Sequence, residues 1–284
     1  SQSALFLPSA TMAGQIAIRI WSRPGDIVII ERFGHDYYFE TGSMAAIAGA
    51  QARPLDGTRG VLDPHDIDSA IVHPENAYAR TSLIVIENTS NFGGGTIYLP
   101  QTRNAIFRIG EDRQIPVHVD GARVWNAIVK SGEPAAAFMP PLGSMSICLS
   151  KGLGAPMGSV LIGTKDFIYE ARRIQLMLGG VMRQAGFMAA AGLYAMRHNL
   201  SRISEDHENA AYLAGRLASL PGISIDPKSV ETNILYFQVL GGEKQAKRLL
   251  NDLQGRSVFA LRIGDLIRLV TYIGIMRGDC IAAA

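Results

Sequence analysis

Residues 146–159, SICLSKGLGAPMGS, place a single lysine in a setting that suits chemistry. A short apolar run ends just before Lys151, and a glycine-rich, nearly uncharged segment follows it. Apolar surroundings disfavour the charged form of a lysine, so the neutral amine can condense with an aldehyde to form a Schiff base. A loop lysine that extends its ammonium group into water fits this segment about equally well.

A second candidate segment, HVDGARVWNA, covers residues 118–127. A predicted strand ends at Asp120, and the chain turns through Gly121 into a predicted helix, which is where open α/β sheets bind ligands. A buried carboxylate there could keep a pyridinium nitrogen protonated, and Arg123 could bind a carboxylate through two hydrogen bonds. Alternatively, Asp120 caps the helix and pairs with Arg123, and the two interpretations are compatible.

Both segments lie within an alternation of strands and helices. Short runs rich in valine and isoleucine, typical of strands buried on both faces, occur at residues 27–31, 83–87, 117–120, 146–149 and 159–162. Helical spacing is found at residues 11–20, 63–71, 122–130 and 164–178. The pattern predicts an α/β domain with a mostly parallel sheet.

The pattern changes after residue 186. Two long predicted helices, at residues 187–198 and 201–220, precede short strands and one further helix near residues 244–253. We therefore predict a large domain over residues 1–186 and a small C-terminal α+β domain over residues 187–284.

The composition favours a small-molecule partner. The 27 basic and 25 acidic residues are scattered and give a net charge of +2, so no basic stripe suggests nucleic acid or an anionic membrane. Cys148 and Cys280 lack the paired spacing of a disulfide framework or a zinc site. No apolar run reaches the length of a membrane span, and the first residues do not resemble a signal peptide. We expect a cytoplasmic protein without a metal ion, a nucleic-acid partner or a membrane partner.

Seven segments in collinear order resemble the threonine aldolases and the wider β-eliminating lyases, which are fold-type I enzymes that use pyridoxal 5′-phosphate (PLP). They are LPSATMAGQ (7–15), GHDYYFETG (34–42), IENTSNFGGG (86–95), HVDGARVWNA (118–127), CLSKGLGAPMGS (148–159), MLGGVMRQAG (177–186) and RLVT (268–271). The resemblance implies an aspartate-aminotransferase-like large domain that binds PLP, together with the small α+β domain. It also implies cleavage of L-threonine or L-allo-threonine to glycine and acetaldehyde, in a homodimer or homotetramer.

The resemblance assigns roles around the cofactor ring. Lys151 matches the lysine that carries PLP as a Schiff base, and Asp120 matches the partner of the pyridinium nitrogen. His35 matches the histidine that stacks on the ring. Glu87 and Asn88 match a strand end where the family places polar groups near the cofactor.

The resemblance also assigns residues to the cofactor phosphate and to the substrate carboxylate. Ser9, Ala10 and Thr11 precede a helix whose N–H groups and dipole suit the cofactor phosphate. Arg183 matches an arginine that reaches toward a phosphate, in some members across a subunit interface. For the substrate carboxylate, the matching residues are Arg123 and Arg268.

The chain also departs from the family pattern. Members usually carry a further stretch with a serine-aspartate-threonine motif ahead of LPSATM and a longer C-terminal helix, so the resemblance predicts that both are missing here. Ala10 replaces the usual glycine. Histidines that occur in some members align with Ala77 and Tyr272, which leaves three alternatives for the general base: His35, a phosphate-bound water, or no efficient base.

Three other functions are compatible with parts of the sequence. Racemisation, β-elimination and transamination use the same cofactor, and neither the Lys151 segment nor the Asp120 segment separates them from aldol cleavage. An inactive remnant would follow if the missing segments are essential. A nicotinamide-binding domain is the least favoured, because no glycine fingerprint joins a first strand to its helix.

Overall fold

The computed structural model describes residues 2–72 and 79–283, and its larger sheet has seven strands. They are β1 (Gln2–Leu7), β2 (Ile27–Glu31), β3 (Gln51–Leu55), β4 (Thr81–Glu87), β5 (Val117–Gly121), β6 (Gly143–Cys148) and β7 (Ser159–Thr164). Their order across the sheet is β1-β7-β6-β5-β4-β2-β3. The five strands from β3 to β6 are parallel, whereas β7 is antiparallel to both of its neighbours. The predicted α/β class with a mostly parallel sheet is confirmed.

Helices cover this sheet. They are α1 (Ala10–Trp21), α2 (His35–Tyr38), α3 (Pro64–Ala70), α4 (Pro100–Asp112), α5 (Val124–Ser131) and α6 (Lys165–Met177). Every residue of β2, β4, β5 and β6 is buried, which explains why these strands appear in the sequence as continuous apolar runs instead of an alternating pattern. The sequence analysis did not assign α4, which begins with a proline at its first position.

Side-chain caps fix the starts of two helices, α1 and α6. Ser9 Oγ accepts the N–H of Met12 at 3.1 Å where α1 begins, and Thr164 Oγ1 accepts the N–H of Phe167 at 3.2 Å at the start of α6. Helices α1 and α6 pack together over β1 and β7 through an apolar cluster that includes Ile16. The first turn of α1 is thus held in a fixed position relative to the sheet.

A second, antiparallel sheet lies near the C-terminus. Its strands are β8 (Ile223–Ser224), β9 (Ile234–Val239), β10 (Leu261–Ile263) and β11 (Leu266–Val270), in the order β10-β11-β9-β8. The accompanying helices are α7 (Gly186–His198), α8 (Ile203–Leu217), α9 (Glu243–Gly255) and α10 (Arg277–Ala283). The predicted helices and strands of this part of the chain are confirmed within a few residues.

Segments outside the strands join the part of the chain that carries the large sheet to the C-terminal part. Thr232 Oγ1 donates to the carbonyl oxygen of Gly95 at 2.7 Å, and Asn199 Nδ2 donates to the carbonyl oxygen of Leu153 at 2.8 Å. Ala195 on α7 packs into the core of the large sheet. The proposed boundary between residues 186 and 187 stays a prediction. Within the described residues, no helix is both long enough and apolar enough to cross a bilayer.

Candidate active site

Neighbouring parallel strands deliver polar side chains to one edge of the large sheet. Strand β4 ends at Glu87, and strand β5 delivers Asp120 beside it, since the two residues are partners in the parallel ladder. On the other side, Asp120 is the ladder partner of Ser146 on β6, three residues before the strand gives way to the Lys151 loop. The chain after β2 returns to the same edge at His35, whose backbone N–H donates to Glu87 Oε2 at 3.3 Å.

Asp120 is buried and only half of its carboxylate is engaged. Oδ1 accepts the N–H of Ala122 at 2.9 Å and the hydroxyl of Ser146 at 3.4 Å. No described residue donates a hydrogen bond to Oδ2. Helix α5 begins at Val124 without a side-chain cap, so the alternative in which Asp120 caps this helix is wrong, and the hydrogen bonds of Asp120 go to Ala122 and Ser146 instead of Arg123.

The imidazole of His35 is held by a buried carboxylate. His35 Nδ1 lies 3.0 Å from Glu40 Oε1, and Glu40 Oε2 accepts a hydrogen bond from Gln15 Nε2 at 2.7 Å. The bond to Glu40 raises the pKa of His35 above its ordinary value, while burial of the ring opposes that increase. The ring of Phe39 stacks on the imidazole, with 5.5 Å between centroids.

Two further carboxyl groups next to His35 favour their neutral forms. Burial, and then the nearby charge of Asp120, raise the pKa of Glu87 to about 7. The same two causes raise the pKa of Asp36 well above its ordinary value, and the positive charge of Lys151 opposes this. Asp36 packs directly against α1, because a Cβ added to Gly14 would lie 2.1 Å from Asp36 Oδ1. The buried Oδ2 of Asp36 has no partner within the described chain.

Two arginines converge on one amide oxygen. Arg123 Nη1 and Arg268 Nη1 donate to Asn91 Oδ1 at 3.2 and 2.8 Å. Arg268 reaches this point from β11, where it is the ladder partner of Tyr236 on β9. Neither guanidinium forms an ion pair with a described residue, so both are available to an anionic ligand. The sequence analysis predicts that both arginines bind the substrate carboxylate, and the structure places the two guanidinium groups close together.

Lys151 sits in a tight loop after β6. The N–H of Gly154 donates to the carbonyl oxygen of Lys151 at 2.9 Å, and the N–H of Ala155 donates to that of Leu149 at 3.0 Å. The side chain of Lys151 is partly buried and makes no hydrogen bond to a described residue. Lys151 follows the end of β6, the parallel neighbour of β5, which places it at the same edge as Asp120.

The predicted phosphate site is the exposed start of α1. Ser9 and Thr11 are exposed, and the N–H groups of the first helical turn, which begins at Ala10, have no acceptor within the helix. Arg183 is also exposed and makes no hydrogen bond or ion pair in the described part of the chain. Gly180, just before it, packs against Met12 on α1, so the segment that carries Arg183 runs close to this helix start.

Three further residues from the sequence analysis are Asn88, Tyr272 and Ala77. Asn88 is buried beside Glu87, and its Oδ1 accepts the N–H of Tyr98 at 3.4 Å. Tyr272 is half exposed, and Ala77 lies outside the described residues.

The sequence analysis did not identify three residues that hold the side chains of the site in place. Glu40, Gln15 and Asn91 make the contacts that orient His35, Arg123 and Arg268. The glutamine is the one polar side chain in the buried stretch from Ala13 to Ile18, and that anomaly is a signal that could have revealed it.

These features define an open α/β protein with a lysine, an aspartate and paired arginines at the carboxyl edge of its sheet. The β-eliminating lyase family model matches residues 1–240, and the chain belongs to this family. The chain is 35% identical over 277 residues to the low specificity L-threonine aldolase of Escherichia coli (strain K12), covering 97% of this chain and 80% of that protein. It is 33% identical to the low-specificity L-threonine aldolase 1 of Arabidopsis thaliana, covering 98% of this chain and 79% of that protein.

Solved structures confirm the predicted fold. The threonine aldolase of Leishmania major matches all of this chain and 82% of its own, with a TM-score of 0.81 and 20% identity. The aspartate aminotransferase of Thermotoga maritima matches 99% of this chain and 74% of its own, with a TM-score of 0.74 and 17% identity. The aspartate-aminotransferase-like architecture is therefore confirmed, and the family model and the two relatives confirm the family resemblance.

Proposed function

We propose that this chain is a PLP-dependent lyase that cleaves L-threonine or L-allo-threonine to glycine and acetaldehyde. The observation that carries the proposal is the juxtaposition of Lys151, Asp120 and the Arg123–Arg268 pair at one sheet edge. Membership of the β-eliminating lyase family and the names of the two relatives support the same reaction.

The residues at this edge fit PLP. Lys151 supplies an amine without a hydrogen-bond partner in the described chain, and Asp120 supplies a buried carboxylate with one unengaged oxygen. The free N–H groups at the start of α1 suit a phosphate. Lys151 would hold the cofactor covalently, Asp120 would keep its ring nitrogen protonated, His35 would lie against the ring, and Ser9, Ala10, Thr11 and Arg183 would hold its phosphate.

When bound, PLP accepts the electron pair that the broken Cα–Cβ bond leaves on Cα. The guanidinium groups of Arg123 and Arg268 would bind the substrate carboxylate, and this contact fixes which bond of Cα is oriented for cleavage. His35 would accept the proton of the β-hydroxyl group at Nε2, since Nδ1 is already engaged by Glu40. The aromatic rings of Phe39 and Phe92 lie beside these groups and would limit the access of water.

The first experiment measures acetaldehyde released from L-threonine and from L-allo-threonine, with PLP added. Replacing Lys151 with alanine should abolish release, because the amine that would hold PLP covalently is removed. Lys165→Ala, which truncates an exposed lysine at the start of α6, serves as the control and should retain full activity. Undiminished release by the Lys151→Ala variant would overturn the proposal.

Product analysis separates this reaction from others that use the same cofactor. Aldol cleavage yields glycine and acetaldehyde from threonine and leaves the configuration of L-alanine unchanged. Racemised alanine, or pyruvate formed from serine, in place of acetaldehyde would replace the aldolase assignment with a racemase or a β-eliminating lyase.

We further propose that the chain works as a homodimer or homotetramer in the cytoplasm. Support for an oligomer comes from large apolar side chains exposed around the Arg183 segment, among them Val181, Phe187 and Tyr194. Sedimentation of the wild-type chain and of Phe187→Glu tests this, since a charge at an apolar interface should dissociate the oligomer. A wild-type monomer with full activity would contradict it.

A further inference from the structure

Glu40 and Gln15 form a buried polar pair behind His35. The exposed fraction is 4% for the Glu40 side chain and 1% for Gln15, whereas the His35 side chain is 34% exposed. The three residues form a chain of hydrogen bonds, 2.7 Å from Gln15 Nε2 to Glu40 Oε2 and 3.0 Å between Glu40 Oε1 and His35 Nδ1. Neither Glu40 nor Gln15 has a role in holding PLP or the substrate carboxylate.

The donors and acceptors of this chain fix where the imidazole carries its hydrogen. The Gln15 amide donates to Glu40, which leaves Gln15 Oε1 buried without a partner and identifies the Glu40 carboxyl as the acceptor. With Oε2 already accepting from Gln15, the arrangement favours His35 Nδ1 as the donor to Oε1, so that both carboxyl oxygens accept. Nε2 of a neutral His35 is then the atom that bears the free lone pair.

We propose that Glu40 is a positioning residue that keeps the hydrogen of His35 on Nδ1 and leaves its Nε2 free to accept a proton, with Gln15 holding Glu40 in place. The proposal deepens the aldolase function and rests on it for the identity of the proton that His35 moves. Glu40 acts only through His35 and does not touch the substrate.

The proton transfer balances around this pair. His35 Nε2 takes the β-hydroxyl proton, and the electron pair of that O–H bond forms the carbonyl of the departing acetaldehyde as the Cα–Cβ bond breaks. The resulting imidazolium is stabilised by its charge-assisted hydrogen bond to Glu40. Return of the proton to Cα gives glycine and restores neutral His35.

Other charged groups around the imidazole do not replace Glu40. Glu87 on β4 and Asp120 on β5 also raise the pKa of His35 through space, but Glu40 is the group that is hydrogen-bonded to the ring and has the largest effect. Asp36, next to His35 in sequence, favours its neutral form and makes no hydrogen bond to the imidazole. Asp36→Asn is therefore a matched control, because it removes a buried carboxyl group and keeps the contact between Glu40 and His35 Nδ1.

The decisive measurement is an NMR titration of the histidine rings in the protein without cofactor, with His35 assigned by comparison with His35→Asn. Glu40→Gln should lower the pKa of His35 by about one unit or more, the usual effect of losing an adjacent opposite charge. It should also reduce the Nδ1–H tautomer in the ¹⁵N spectrum, because an amide can pair with either tautomer whereas the carboxylate pairs only with Nδ1–H. Asp36→Asn should leave both readouts nearly unchanged. An unchanged pKa and tautomer in Glu40→Gln would overturn the proposal.

A second variant covers the case in which Glu40→Gln does not fold, and a second measurement separates the proposal from the proposed reaction. If Glu40→Gln does not fold, Gln15→Leu decides, because loss of the amide should shift the His35 titration in the same direction by a smaller amount. An unmoved titration in that variant would overturn the proposal. The acid limb of the pH profile of kcat/KM for threonine should follow the His35 pKa downward in Glu40→Gln. A shifted NMR titration without any threonine cleavage by the wild-type chain would sustain the positioning role and reject the aldolase function.

Discussion

Arg123 and Arg268 share a single hydrogen-bond acceptor, Asn91 Oδ1, at 3.2 and 2.8 Å. The first arginine immediately precedes α5 and the second lies on β11 of the C-terminal sheet, so the amide joins two parts of the chain that are 145 residues apart. Two positive charges held beside each other without a carboxylate partner form a site for an anion. Asn91 orients both guanidiniums and leaves their charges uncompensated.

Asn91→Asp should therefore block the substrate without unfolding the protein. A carboxylate at this position would form ion pairs with both arginines and compete with the substrate carboxylate. We expect KM for threonine to rise by about 10- to 100-fold, equivalent to ~1.4–2.8 kcal/mol, with a smaller effect on kcat. Asn91→Ala, which adds no charge, is the control and should raise KM less. Equal KM values in the two variants would refute competition by charge.

Asp120→Asn tests the proposed partner of the cofactor nitrogen. Asparagine is close in size and can keep the contacts of Oδ1 with Ala122 and Ser146, but it removes the negative charge that favours a protonated ring nitrogen. We expect kcat to fall by at least about 100-fold, or ~2.7 kcal/mol, while the protein keeps its fold. Ser146→Ala removes only one contact to Oδ1 and should cost much less. A variant Asp120→Asn with near wild-type kcat would exclude this role.

The sequence was sufficient to predict residues whose position follows from a strand end. Asp120 and Lys151 come directly after buried apolar runs, and parallel strands bring such ends to one edge. The roles of Glu40 and Gln15 could not be predicted in this way, because their hydrogen bond joins residues 25 positions apart and depends on how α1 packs over the sheet. The local sequence pattern does not show how α1 packs over the sheet. For Asn91, the contact with Arg268 spans 177 positions and depends on the docking of the C-terminal sheet.

Gly95→Ala should disturb that docking. Gly95 has a φ of +78°, and an added Cβ would lie 2.2 Å from Thr232 Oγ1, which bonds the Gly95 carbonyl in the interface. Gly42→Ala is the matched control, since Gly42 has the same φ of +78° but open space around it. Both variants should lose ~1–2 kcal/mol through backbone strain, and Gly95→Ala should lose more. Only Gly95→Ala should also raise KM, because β11 carries Arg268. Identical effects of the two substitutions would show that the contact with Thr232 is unimportant.

Glu87→Gln should flatten the pH dependence of stability. The folded chain raises the pKa of Glu87 from 4.5 to about 7, mainly through burial, so the folded state binds this proton more tightly than the unfolded state does. The contribution of Glu87 to stability is therefore fully present below pH 4.5 and is lost as the pH rises through about 7. At about 1.4 kcal/mol per pH unit, the shift from 4.5 to about 7 corresponds to a loss of roughly 3–4 kcal/mol.

Urea unfolding of the protein without cofactor, between pH 5 and pH 8, measures this loss directly. The free energy of unfolding of the wild-type chain should decrease over that interval more steeply than that of Glu87→Gln. The difference between the two slopes measures Glu87 together with its effect on Asp36 and His35, because the charge of Glu87 raises the pKa values of both groups and its loss changes stability in the same direction. Glu208→Gln, at an exposed position on α8, should reproduce the wild-type slope. If Glu87→Gln has the same slope as the wild-type chain, Glu87 is already ionised in the folded protein at pH 5, and the neutral carboxyl beside Asp120 does not exist.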